Sequence, residues 1–151
     1  MTNAEFRELC RETCLLLRIE DVSSLADEGQ IMVDEVTIGA FHDDASDTGI
    51  HCYVDLGAVH EASRPEEFQQ ILALNLELGR MHGETLGYDR ESERFVLRSE
   101  VKDLAHISAK QMSELFIAYV GFAKMFSTQW QRDAALPMDC AGSSILQDSL
   151  V

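Results

Sequence analysis

Between Gly29 and Leu56 the apolar residues of this chain change their period. Ile31 and Val33, then Val36, Ile38 and Ala40, then Ile50, Cys52, Val54 and Leu56 alternate with more polar neighbours. A period of two with β-branched enrichment marks strands that bury one face. Three strands are expected, with Asp34-Glu35 as the first tight turn and Asp43 to Gly49 as the second. Connections that short join antiparallel neighbours.

On both sides of this stretch the period is helical. A first helix is expected from Asn3 to Leu17, with Phe6, Leu9, Cys10, Thr13, Leu16 and Leu17 on one face. A second is expected from Arg64 to His82, and it is apolar on two sides. Phe68, Leu72, Leu76 and Gly79 form one row, and Ile71, Leu74, Leu78 and Met81 form another. A helix with two apolar faces has two things to bury against: its own sheet and, on this reading, a second copy of the chain. The competing reading is a central helix buried within one subunit. A third helix is expected from Ala109 to Arg132, striped by Met112, Leu115, Phe116, Tyr119, Phe122, Ala123, Phe126 and Trp130. Thr2/Glu5, Ser63/Glu66 and Ser108/Gln111 each fit a capping box at a helix start, and Ile107 and Met112 occupy the staple positions around Ser108. Between the second and third helices, Thr85 to Tyr88 and Arg94 to Arg98 read as a hairpin around the polar turn Asp89 to Glu93. Gly79, Gly83 and Gly87 punctuate the passage from helix to hairpin, where positive φ is needed.

The order is α-β-β-β-α-β-β-α. It predicts an α+β fold: one antiparallel, strongly twisted sheet of about five strands with three helices. Residues 1–133 form a single expected domain. After Ala134 the period stops at Pro137 and a run of small residues, so 134–151 reads as a flexible C-terminal tail.

Charge narrows the partners. Twelve basic residues face 27 acidic ones, for a net charge of -15. Such a surface repels nucleic-acid phosphates and anionic lipid and suits basic or polar protein partners. Met1 to Glu5 lacks the basic and apolar regions of a signal peptide, and no apolar run approaches the length of a membrane span. Cys10, Cys14, Cys52 and Cys140 form no CxxC pair and are read as reduced thiols.

Chemistry-bearing motifs are missing. The sequence has no phosphate-cradling glycine loop, no HExxH and no GxSxG. Asp43, Asp44 and Asp47 with Gly49 do not fit an EF-hand spacing and read as a solvated turn. His42 and His51 flank that turn, and Cys52 lies nearby, but ordinary hairpin and core roles account for them. His60, His82 and His106 stand singly at element ends. No catalytic residue, metal site or cofactor is therefore assigned, and the chain is read as a non-enzyme.

One segment carries a resemblance. Ile71-Leu72-Ala73-Leu74-Asn75-Leu76-Glu77-Leu78-Gly79, followed by His82-Gly83-Glu84-Thr85-Leu86-Gly87-Tyr88-Asp89, then Phe95-Val96-Leu97 and a long last helix reaching Trp130, resembles the class I type III secretion chaperones, or Tir chaperone family. The resemblance spans roughly residues 2–132 and lies in the order and spacing of motifs. It implies a homodimer in the bacterial cytoplasm that binds an extended N-terminal segment of one or more secreted effector proteins. That segment would be kept soluble and ready for secretion, for hand-over to the ATPase of the secretion apparatus. Neither nucleic-acid binding nor membrane insertion is implied.

In the family the second helix supplies much of the dimer interface, which places Ile71, Leu74, Leu78 and Met81 there. Effector segments lie over the first helix and the sheet, partly as an added edge strand, which places the effector patch on Phe6, Leu9, Leu16, Ile31, Val33, Val36 and Ile38. The competing assignment for each patch residue is plain core. Two other functions are weighed: a non-secretion adaptor or regulatory protein-binding module with the same fold, and a ligand site between sheet and last helix with Tyr88, His82 and Glu84 as polar groups.

Overall fold

The computed structural model describes residues 1–42, 49–58, 65–81, 83–102 and 107–134, with the side chains of 65–67, 81 and 130–134 outside the description. The expected turn at Asp43 to Thr48, the Ser63 cap, His60, His82, His106, Cys140 and the tail beyond Ala134 lie outside the described residues.

Helix α1 runs Asn3–Leu16 and starts at the expected capping box. Thr2 Oγ1 accepts from Glu5 N, and Glu5 Oε2 accepts from Thr2 N at 2.7 Å. Phe6, Leu9, Cys10, Thr13 and Cys14 are its buried face. The helix ends in a Schellman motif. Ile19 N donates to Cys14 O at 3.0 Å and Arg18 N to Leu15 O at 3.2 Å, with Arg18 at φ 58 where glycine is usual. A fourth helix, not expected from periodicity, follows as α2, Ser24–Asp27. One turn is too short to show a period. Its Leu25 is fully buried, and Arg7 ties α1 to it through Ala26 O and the Asp27 carboxylate.

The sheet is β1 Gln30–Val33, β2 Val36–His42, β3 Ile50–Ala58, β4 Thr85–Asp89 and β5 Arg94–Val101, ordered β1-β2-β3-β5-β4 and antiparallel throughout. The alternation holds: Ile31, Val36, Ile38, Ala40, Ile50, Cys52, Val54 and Leu56 are all buried on one face. The first turn has Asp34 at φ 48 and Glu35 at φ 70, the two positive values of a type I′ hairpin turn, here without a glycine. Gly29 is required by packing as well as by its φ of 74, because a Cβ there would stand 2.8 Å from the Phe41 ring.

Helix α3 spans Pro65–Met81 and α4 spans Ala109–Ala134. At the start of α4, Ser108 N donates to Gln111 Oε1 at 2.9 Å and Gln111 N donates back to Ser108 Oγ. Helix α4 packs on the buried face of the sheet, and α1 packs on α4 and α2, reaching β2 through the Phe6–His42 ring contact. Met112, Phe116, Tyr119, Val120, Ala123 and Phe126 of α4 enter that core. Helix α3 touches the molecule at the β4 end. Phe68, Phe95 and Phe126 link α3, β5 and α4 in a run of ring contacts of 6.5 and 5.8 Å.

Candidate protein-binding site

Among the described residues, three of the surfaces left once the core is filled bear on binding a polypeptide. The first is the edge of β1, which among the described residues has β2 on one side only. Val33 faces Val36 across the two-residue turn, and Ala40 N donates to Gly29 O at 3.0 Å, so the odd-numbered residues of β1 bond to β2. The main-chain N–H and C=O groups of Gln30 and Met32 consequently point away from the sheet. They form an open template for one more strand.

The second surface is the face of the sheet turned away from α1 and α4. Met32 is 65% exposed there, and Phe41 and Tyr53, also exposed on this face, have ring centroids 5.8 Å apart. Phe41 lies flat because Gly29 and Gly39 present no side chain beneath it. The third surface is α3. Its Leu72 and Leu76 are 67% and 66% exposed, with Phe68 also exposed on the same row. The other row turns to the sheet. Ile71 is buried, and Leu74 and Leu78 are half-buried against the core. Asn75 fixes that rotation, since its Oδ1 accepts from Leu86 N at 2.8 Å.

Polar grooves are present but organised for structure. One is lined by Asp34, Asp55, Arg94, Lys124 and Thr128. Its cations are already paired: Arg94 Nε donates to both Asp55 oxygens at 2.8 Å, and Lys124 meets Asp34 at 3.4 Å. Among the described residues no group of three His, Cys, Asp or Glu could hold a metal ion. The thiols of Cys10, Cys14 and Cys52 are buried, and burial pushes Cys10 and Cys52 up to about 12. They are neutral, poor nucleophiles and poor ligands. Burial also raises the Tyr119 phenol, against which the Ser99 hydroxyl acts. Tyr88 and Glu84, two groups of the ligand-site alternative, are exposed and half-buried respectively, with His82 outside the description.

A surface made of an open strand edge and uncovered apolar rows is built for polypeptide. Against known families, the model of the Tir chaperone protein (CesT) family matches residues 43–126, more than half of the chain. The chain belongs to the Tir chaperone protein (CesT) family. This makes it a type III secretion chaperone, from a family of effector-binding proteins and not of enzymes. A solved structure described as the ExsC-ExsE complex has the same fold, with a TM-score of 0.59 at 20% identity, covering 91% of this chain and 97% of that chain. No curated protein matches. Among the described residues no helix is long and apolar enough to cross a membrane.

For this CesT-family chain, the structure separates the residues of the two expected patches. Of the effector patch, Phe6, Leu9, Ile31, Val36 and Ile38 lie in the core of the single chain, Val33 is half-buried, and Leu16 is 55% exposed. Met32, Phe41 and Tyr53 are the outward neighbours of those inward residues. They occupy the outward positions of the same alternation, where polar residues are expected, and so gave no signal in the sequence. Of the expected dimer residues, Ile71, Leu74 and Leu78 face the sheet side, while the side chain of Met81 lies outside the description.

Proposed function

We propose that the chain works as a homodimeric cytoplasmic chaperone that holds an extended segment near the N-terminus of a secreted effector along the β1 edge. The observation that carries this is the edge itself, where among the described residues Gln30 and Met32 present unpaired main-chain groups, on a sheet whose outer face exposes Met32, Phe41 and Tyr53. Main-chain bonds at such an edge tolerate many sequences, and the apolar side chains beside it select among them. Family membership supports the class of client, and the likeness to the solved ExsC-ExsE complex supports the fold. The acidic balance of the chain keeps such apolar surface in solution and disfavours nucleic acid.

The same reading gives α3 to a second copy of the chain. Its row of Phe68, Leu72 and Leu76 is uncovered, and half-buried Leu74 and Leu78 stand at the margin. Ile71, buried against the sheet, stays with the core of its own chain, and Met81 is the remaining residue proposed for this interface. The same proposal makes the ATPase of the secretion apparatus a candidate recipient of the client.

The test is capture of partners on the native chain with mass spectrometry, repeated with Met32→Pro. The N–H lost at Met32 faces the open edge, so proline leaves the β1-β2 ladder in place. The expected result is a secreted protein retained by the native chain and weakened about tenfold or more by Met32→Pro, with the circular dichroism spectrum unchanged. Equal retention by a folded Met32→Pro variant excludes the β1 edge. A captured partner that is not secreted favours an adaptor of another system.

A further inference from the structure

Helix α4 has apolar residues on its solvent side as well as in the core. Ile117 and Met125 are each 59% exposed, and Gly121 lies between them with no atom within 4 Å of where its Cβ would be. Spaced four apart, the three share one face of the helix. Ala118 beside them is exposed too. The result is a notch between two apolar side chains, about 12 Å apart along the axis. The dimer row on α3 and the β1 edge belong to other elements, so neither proposed role covers this strip.

We infer that the occupant of the strip is the segment Ile145–Val151 of the same chain. The sequence after Ala134 carries a glycine- and proline-containing spacer of mixed polarity, 135–144, with Leu136 and Met138 as single large apolar residues, and then two apolar pairs, Ile145-Leu146 and Leu150-Val151, separated by Gln147-Asp148-Ser149. Fully extended, the spacer reaches up to about 33 Å. Ile117 lies about 26 Å back along α4 from Ala134 and Met125 about 14 Å. Both are within reach of the segment, and its two apolar pairs match the two apolar side chains of the strip. Tethering raises the local concentration of the segment to the millimolar range. That favours it over a second copy or a client at ordinary protein concentrations.

The measurement is the methyl NMR spectrum of Ile117 and Met125 in the full chain, compared with the full chain carrying Leu146→Asp and Leu150→Asp. Both methyl resonances should shift in the variant, by the same amount at low and high protein concentration, while Leu25 in the core stays in place. Gly121→Gln, which fills the notch on an exposed helix face, should also displace the segment and raise the rate of proteolytic cleavage after Ala134 several-fold. Unchanged Ile117 and Met125 methyls in the double variant overturn the assignment. A shift that grows with protein concentration overturns it as well, because the occupant is then a second molecule.

Discussion

Helices α3 and α4 carry similar apolar stripes and meet opposite fates. On α4, Met112, Phe116, Tyr119, Val120, Ala123 and Phe126 sink into the core against α1 and the sheet. On α3, one row reaches the sheet through Ile71 and the Asn75 bond to Leu86, and the other stands in solvent. The difference is topological. Helix α4 crosses the middle of the sheet, whereas α3 meets it at the β4 end and has, among the described residues, nothing of its own chain on its far side. Apolar surface at a central helix stabilises the monomer, and apolar surface at a marginal helix is available to a partner.

Substitutions on the two helices should separate these roles. Phe116→Ala removes a fully buried ring and should cost about 3–5 kcal/mol in denaturant unfolding. A cost below about 1 kcal/mol would break the comparison from the α4 side. Leu72→Glu with Leu76→Glu should leave the circular dichroism spectrum intact and lower the native mass from twice 16.9 kDa to a single chain. A variant that stays dimeric would move the interface off α3. Asn75→Ala leaves Leu86 N without its acceptor and should cost about 1–3 kcal/mol, loosening the rotation that decides which row faces out.

Much of this contrast was legible in the sequence. The switch to a period of two located β1, β2 and β3, because each strand buries one face and side chains alternate strictly. The capping boxes at Thr2 and Ser108 placed two helix starts, since each uses local hydrogen bonds that need no tertiary partner. The two apolar rows of α3 were also legible. Which row meets the sheet was not, because that depends on Asn75 finding Leu86 across the chain. Leu25 and its single turn were hidden, as one turn has no period to detect. The candidate client surface was half visible. Ile31, Val33 and Ile38 mark the strands β1 and β2, while the exposed members Met32 and Phe41 were masked by the expectation that outward residues are polar.

Smaller effects test the local geometry beneath both helices. Arg18→Gly and Glu35→Gly relieve left-handed backbone at the end of α1 and at the β1-β2 turn, and each should add about 1 kcal/mol of stability. The thiols supply the pH dependence. Burial raises Cys10, Cys14 and Cys52 above the ordinary thiol value of 9.0, so the stabilising neutral form is complete below that pH and is lost as pH rises through the folded values, about 12 for Cys10 and Cys52. At neutral pH, in a Cys140→Ser background, a thiol reagent should find no reactive group until the protein is unfolded. Fast labelling of the native chain would show that α1 does not seal the core.

The central claim is that the β1 edge takes the client strand. Residue-resolved amide exchange with and without the captured partner addresses it directly. The Gln30 and Met32 amides should exchange quickly in the free protein and become strongly protected in the complex, while the Ile31 and Val33 amides are slow in both. Protection that appears only along β4 or α3, with Gln30 and Met32 still fast, would contradict the account.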